Sequence, residues 1–345
     1  MSRVPPVDIS PFLNGTQADR DAVARRIDEA CRDSGFLMVT GHGVSPELMA
    51  QYEQHLTAFF ALPLDEKQRI GVTRDSNRGY RGRDATALAH SRGDYTPPDL
   101  MERFTIGRTG IPDDDYHRAR AHNHFQANRM PQTPGFAETA IAYYAAMERL
   151  ASDLMSVIAR ALALPDDYFE PFCNRHISHL VANYYPAQRQ TAAAGQFRAG
   201  AHTDFGALTL LYPARSPRGL QVQTLDGGWE DVVHLPGSFI VNIGDLMARW
   251  TNDRWVSTMH RVVPPVSAAG ETDDRMSIAF FLQPNDDARI TCLPTCTDAE
   301  HPVLYEAVTS GAHYQMKSNR SWIGKKDLPQ AESQGLDQGP GPAHA

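Results

Sequence analysis

The chain has 345 residues, of which 41% are hydrophobic and 21% charged, and its formal net charge is −8. These are the proportions of a globular protein with a sizeable core, and a negative balance without a Lys/Arg cluster argues against nucleic acid or an anionic membrane as partner. A small molecule is the expected partner, and the lack of a signal-like or membrane-length apolar run leads us to expect a cytoplasmic monomer.

The amino-terminal "VPPVDIS" reads as an edge strand opened by prolines. "TQADRDAVARRIDEACRDSG" follows as an amphipathic helix, with Val23, Ile27 and Ala30 on one side and Gly35 closing it. "FLMVTGHG" has the apolar run of a buried strand, and "SPELMAQYEQHLTAFFAL" is a second helix capped by Ser45 with Pro46 in its first turn. Residues 71–100, rich in Gly, Arg and polar side chains, read as a long loop of the kind that usually carries function. The polar "HRARAHNHF" (His117, His122, His124) reads as a solvated loop. "PGFAETAIAYYAAMERLASDLMSVIARALAL" is the longest helical pattern and ends before Pro165.

From Ile177 the hydrophobic period changes from helical to two. "HISHLVANYYP", "ALTLLYP", "GLQVQTL", "WEDVVHL", "SFIVNI", "VSTMHRVVPP" and "RMSIAFFLQP" read as strands between Gly, Pro and Asp turns. Such a succession predicts a sandwich or a jelly-roll barrel. The four cysteines are too few and too scattered for a disulfide framework. Cys292-x-x-x-Cys296 beside His301 lacks the second half of a zinc site. The polar, Gly/Pro-rich end, residues 330–345, is expected to be a disordered tail.

The stretch "GAHTDFGALTLLY" carries His202 and Asp204 two apart, so a strand would present both on one face. Alone, the pair is as well explained by a solvated strand end, and His260 in "VSTMHRVV" by a satisfied core histidine. Together, two imidazoles and one carboxylate make the facial triad of non-haem Fe(II) sites, which leaves coordination positions open for chemistry. Alternation places Arg275, Ser277, Ala279 and Phe281 on one face of a later strand, a fork and a hydroxyl suited to a carboxylate. It places His179, Val181, Asn183 and Tyr185 on one face of an earlier strand.

In this order "NYYP", "HTD", His260 and "RMS" resemble the isopenicillin N synthase-like branch of the Fe(II)/2-oxoglutarate-dependent dioxygenases. "VPPVDISPF", "CRDSGFLMVTGHGV" and "FFALPLDEKQRI" are similar to that family's amino-terminal region. The resemblance implies a mainly β protein with flanking helices around a double-stranded β-helix, or jelly-roll, core. It also implies a division into an N-terminal dioxygenase region (1–130), a long helix and connector (131–175), the catalytic core (176–290) and a C-terminal extension (291–329). His202, Asp204 and His260 would ligate Fe(II). Arg275 and Ser277, with Tyr185 and Asn183 assisting, would hold 2-oxoglutarate, whose oxidative decarboxylation with O2 would drive hydroxylation, desaturation or ring closure.

The substrate is expected to be a small molecule, with a bacterial natural product or antibiotic intermediate as the reading. Tyr80, Phe104, Arg198, Phe281 and Trp322 are the candidate pocket residues, and the arginines of "RDSNRGYRGR" allow an anionic or polyhydroxylated ligand. Two other readings stay open at this level. One is an iron oxidase that dispenses with 2-oxoglutarate, and the other is a non-catalytic binder on the same barrel.

Overall fold

The computed structural model describes residues 3–83, 85–93, 96–187, 196–216, 218–264 and 273–321. Trp322 and the expected tail therefore lie outside the described residues, as do residues 265–272 of the connector before Arg275.

Among the described residues, twelve strands build two sheets. In chain order they are β1 (Pro6–Asp8), β2 (Phe36–Thr40), β3 (Gly79–Arg81), β4 (Glu102–Gly107), β5 (His179–Tyr185) and β6 (Ala199–His202). They continue with β7 (Leu208–Arg215), β8 (Leu220–Gln223), β9 (Trp229–Asp231), β10 (Phe239–Ile243), β11 (His260–Val262) and β12 (Arg275–Leu282). The larger sheet runs β1-β2-β10-β7-β12-β5-β4-β3, and the smaller β6-β11-β8-β9. Only β1 and β2 pair in parallel within these two sheets.

The period of two decides which core each side chain enters. Leu37 and Val39 of β2 join the main core with helices Gln17–Asp33, Pro46–Phe60 and Phe136–Ala161, whereas Phe36 and Met38 point into a second core. That second core also takes Ala199, Leu220, Val222 and Val262 from the smaller sheet, so the two sheets face each other across it. Helices cover one face of the large sheet and the small sheet covers the other. This is the jelly-roll architecture with flanking helices.

Local signals account for the helices. Thr16 caps the first long helix and forms a reciprocal capping box with Asp19. Val23, Ile27 and Ala30 are buried on its inner face. Gly35 then takes φ +67°, a left-handed turn, with the Val256 carbonyl oxygen 2.0 Å from where a Cβ would sit. Only glycine closes this helix and still enters β2.

Two expectations change. The segment 71–100 is not loop throughout: it holds β3 and a 3-10 turn, Leu88–Arg92. The stretch around His117–His124 is solvated only in part: Ala119, Ala121, His122 and Asn123 are exposed, but His117 and His124 are each 3% exposed and Asp115–Ala119 is helical. His124 Nε2 lies 3.0 Å from Asp286 Oδ1, which anchors the stretch to the body of the fold. All four cysteines are free.

Candidate metal centre and its cavity

His202 ends β6 and His260 begins β11, and the two residues are direct partners across the antiparallel pair. Their rings lie 4.4 Å apart between centroids. Asp204 follows two residues after His202, and its Oδ1 is 3.9 Å from His202 Nε2 and 3.7 Å from His260 Nε2. These three form a group whose donor atoms all lie within 4.8 Å of one another, the only such group among the described residues.

The surroundings orient each donor. Nδ1 of His202 is 2.6 Å from the Gly200 carbonyl and Nδ1 of His260 is 3.2 Å from that of Thr258. A proton on Nδ1 satisfies each carbonyl and leaves the Nε2 lone pair facing inward. Asp204 Oδ2 accepts from Thr209 Oγ1 at 2.6 Å and from Asn242 Nδ2 at 2.8 Å, so Oδ1 is the oxygen left to face the imidazoles. Burial, and then the neighbouring His260, lower the His202 pKa to about 4, so the imidazole is neutral at physiological pH. Burial would raise the Asp204 pKa, but the two imidazoles and the bonds from Asn242 and Thr209 outweigh it and hold the carboxyl ionised. Two imidazoles and one carboxylate with an open side are a donor set for a divalent first-row ion that keeps free coordination positions.

A cavity of about 560 Å³ opens from this group between the sheets. Arg275 and Ser277 of β12 line it beside Tyr185 and Asn183 of β5, their direct partners in register. Arg275 is 1% exposed and has no carboxylate partner among the described residues. Its Nη1 donates to Ser277 Oγ at 3.2 Å, its guanidinium sits 4.9 Å from the centre of the Tyr185 ring, and its Nε has no hydrogen-bond partner. A buried guanidinium with an unmet donor is costly unless an anion joins it. This end of the cavity is therefore suited to a carboxylate.

The remaining expected pocket residues divide. Phe281 lines the cavity. Tyr80 and Phe104 do not: both point into the helix-covered core, Tyr80 bonding Glu102 Oε2 at 2.8 Å and Phe104 packing on Phe59 at 5.2 Å between ring centroids. Their sequence neighbours Arg81 and Arg103 are the side chains that enter the cavity. Arg198 is also outside it, fully buried, with Nη2 donating to the Asp273 carbonyl. Sequence reasoning placed Arg81 only among the arginines of residues 74–83, read His124 as solvated, and missed Arg103 and Tyr314. The last belongs to the helix Ser310–Ser321, and its ring stacks on His179 at 5.2 Å. Parity along β3 and β4 was the signal for the two arginines, and the long-range contact of Tyr314 had none.

The family model for the N-terminal region of non-haem dioxygenases in morphine synthesis matches residues 4–132, and that of the 2OG-Fe(II) oxygenase superfamily matches residues 176–284. A 2-oxoglutarate-Fe(II) type oxidoreductase of Emericella nidulans is 34% identical over 94% of this chain and 93% of its own. The chain belongs to the 2-oxoglutarate-Fe(II) oxygenase superfamily. A second oxygenase relative, validamycin A dioxygenase of Streptomyces hygroscopicus subsp. limoneus, is 34% identical over 84% of this chain and 79% of its own. A Neurospora crassa protein solved in complex with alpha-KG and thymine superposes with TM-score 0.79 at 29% identity, covering 92% of this oxygenase and 97% of that chain. The protein is an Fe(II)/2-oxoglutarate dioxygenase, with Fe(II) as its metal and 2-oxoglutarate and O2 as cosubstrates. No helix among the described residues is long and apolar enough to cross a membrane.

Proposed function

We propose that this dioxygenase couples oxidative decarboxylation of 2-oxoglutarate to oxidation of a C–H bond in a small molecule. His202 Nε2, His260 Nε2 and Asp204 Oδ1 are the proposed Fe(II) ligands. The observation that carries the reading is their convergence within 4.8 Å, in a cavity that also holds the carboxylate-starved Arg275. When bound, iron and 2-oxoglutarate supply the means to oxidise an unactivated C–H bond with dioxygen, releasing succinate and carbon dioxide.

The chain's own residues perform the placement. Arg275 and Ser277 receive the distal carboxylate of 2-oxoglutarate through charge-assisted bonds. Tyr185 forms the wall on which the guanidinium rests, and Asn183 closes that side, its Oδ1 accepting from Arg103 Nε at 2.8 Å. Burial between two sheets keeps water from the reacting atoms and fixes the C–H bond near the metal, where orientation sets selectivity. Hydroxylation is the expected outcome, with desaturation or ring closure as relatives of the same step. A natural-product substrate, antibiotic intermediates included, is the reading supported by the relative named validamycin A dioxygenase.

The test is anaerobic. Adding Fe(II) and then 2-oxoglutarate to the apoprotein is expected to produce the weak visible charge-transfer band of the chelate, and Arg275→Ala is expected to weaken 2-oxoglutarate binding by about ten- to a hundredfold, the range of one charged hydrogen bond. Bound iron without a band would favour an oxidase that uses no 2-oxoglutarate. A protein that binds no iron would overturn the ligand set.

A further inference from the structure

The cavity has a second positive stretch of wall, further along the same sheet from the one that Arg275 provides. Arg81 on β3 and Arg103 on β4 are direct cross-strand partners, and both line the cavity. Arg103 is in turn opposite Asn183 on β5, and Asn183 opposite Ser277 on β12. The four side chains thus form one row across the large sheet. With strands about 4.8 Å apart, Arg103 sits about 10 Å from Ser277, with Asn183 between them, so a substrate on Arg103 lies beside 2-oxoglutarate on Ser277.

Like charges directly opposite each other on a sheet are destabilising, and more so when taken out of water. Arg81 is 7% exposed and donates from Nη1 to Thr86 Oγ1 at 3.4 Å, so the charge left to be met is that of Arg103. Among the described residues Arg103 makes no ion pair: its Nε donates to Asn183 Oδ1 at 2.8 Å and its Nη2 reaches Met101 Sδ at 3.9 Å. Burial, and then Arg103 itself, push the Arg81 guanidinium well below its usual range, and burial lowers Arg103 against the opposing pull of Tyr185 and Asp99. The described cavity wall holds two carboxylates, Asp75 and Asp204. Asp75 is exposed at the rim, and Asp204 is committed to the metal group.

We propose that the primary substrate carries a carboxylate, received by Arg103 at the β3–β4 wall, while its oxidisable carbon faces the His202–Asp204–His260 end. The inference rests on the oxygenase reading above, since it assigns Arg275 to 2-oxoglutarate and leaves the second stretch of wall for the substrate. The planar fork of Arg103 suits a planar anion, and Asn183 holds that fork in place by accepting from its Nε.

The experiment uses the full chain under argon, loaded with Fe(II) and saturating 2-oxoglutarate, so that the chelate band reports whether Arg275 stays occupied. Matched acid and carboxamide probes, benzoate with benzamide and acetate with acetamide, are titrated at constant ionic strength, with binding read from the rise in the thermal unfolding midpoint. At least one acid is expected to bind tenfold or more tightly than its amide, with the band retained. That preference is expected to vanish in Arg103→Gln and to persist in part in Arg103→Lys. A smaller preference in both pairs of the unaltered protein, or one that survives in Arg103→Gln, overturns the inference. The comparison in the unaltered protein stands even if Arg103→Gln does not fold. Failure of the band to form at all would instead sink the oxygenase reading.

Discussion

Replacing Asn242 with Leu removes a donor from a buried carboxylate. Asp204 is 6% exposed, and its Oδ2 is held by Thr209 Oγ1 at 2.6 Å and Asn242 Nδ2 at 2.8 Å. A hydrogen bond to a charged acceptor contributes about 1.5–3 kcal/mol, which corresponds to roughly ten- to a hundredfold in an equilibrium constant. Partners of metal-ligating carboxylates lose metal affinity over the same range when removed, so two independent arguments agree. Asn242→Leu is therefore expected to weaken Fe(II) binding by about ten- to a hundredfold. The loss grows at lower pH, because a less supported carboxyl keeps its proton and the metal must displace it. Thr209→Val acts on the same oxygen, so the double variant is expected to deviate from additivity. Anaerobic Fe(II) titration, with circular dichroism as a control for folding, measures both. An Asn242→Leu protein that is folded and binds Fe(II) within about twofold of the unaltered chain would refute the account of how Asp204 is aimed.

Two further outcomes are expected. Burial raises the Asp99 carboxyl from 3.8 to about 6, against the backbone N–H groups of Leu88 and Gly200 that it accepts from at 2.9 and 2.8 Å. Between those values the folded state retains a proton that the unfolded chain releases. Stability relative to Asp99→Asn should therefore fall as pH rises from about 4 to 6, by about 3 kcal/mol at most, and level off above. Urea unfolding across that window checks it, and a flat or rising difference would exclude the effect. Lys67 Nζ and Glu102 Oε2 meet at 2.6 Å with side chains 7% and 11% exposed, and the lysine also donates to the Phe60 carbonyl at 3.1 Å. Glu102→Gln leaves that ammonium buried without its counter-charge and should cost about 3–5 kcal/mol, much of which Lys67→Met in the same chain restores. Chemical denaturation of the two variants decides it, and a single-variant loss below about 1 kcal/mol would contradict the burial argument.

Alternation along a strand carried most of what the sequence disclosed. Asn183 with Tyr185, and Arg275 with Ser277 and Phe281, line the cavity because a strand buried between two layers must show one face to each. The same rule was not applied to β3 and β4, where the aromatic of each dipeptide drew attention. Tyr80 and Phe104 are large, so they fill the helix-covered core, and the adjacent Arg81 and Arg103 fall on the opposite face. A three-residue strand such as β3 has too few positions for its period to show, and Gly- and Arg-rich flanks hide it. His124 looked solvated because its anchor, Asp286, lies 162 positions away in the chain, beyond any local pattern. Tyr314 reaches the cavity for the same reason, by a stack on His179 that only the folded chain brings about.

The order of strands in the large sheet separates two kinds of constraint. β7, β12 and β5 lie inside the sheet, each with a neighbour on both sides, and they carry Thr209, Arg275, Ser277 and Tyr185. β3 is the terminal strand beyond β4, with one partner, and it belongs to the segment matched by the amino-terminal family model. Mutations at an edge disturb one ladder instead of two, so the lineage can rewrite Arg81 at less cost than Arg103, whose strand β4 pairs on both sides and whose Nε meets Asn183. Exchange of the amino-terminal segment between homologues, by recombination in nature or by shuffling at the bench, thus offers a route by which this oxygenase acquires new substrates while inheriting its oxidising centre intact.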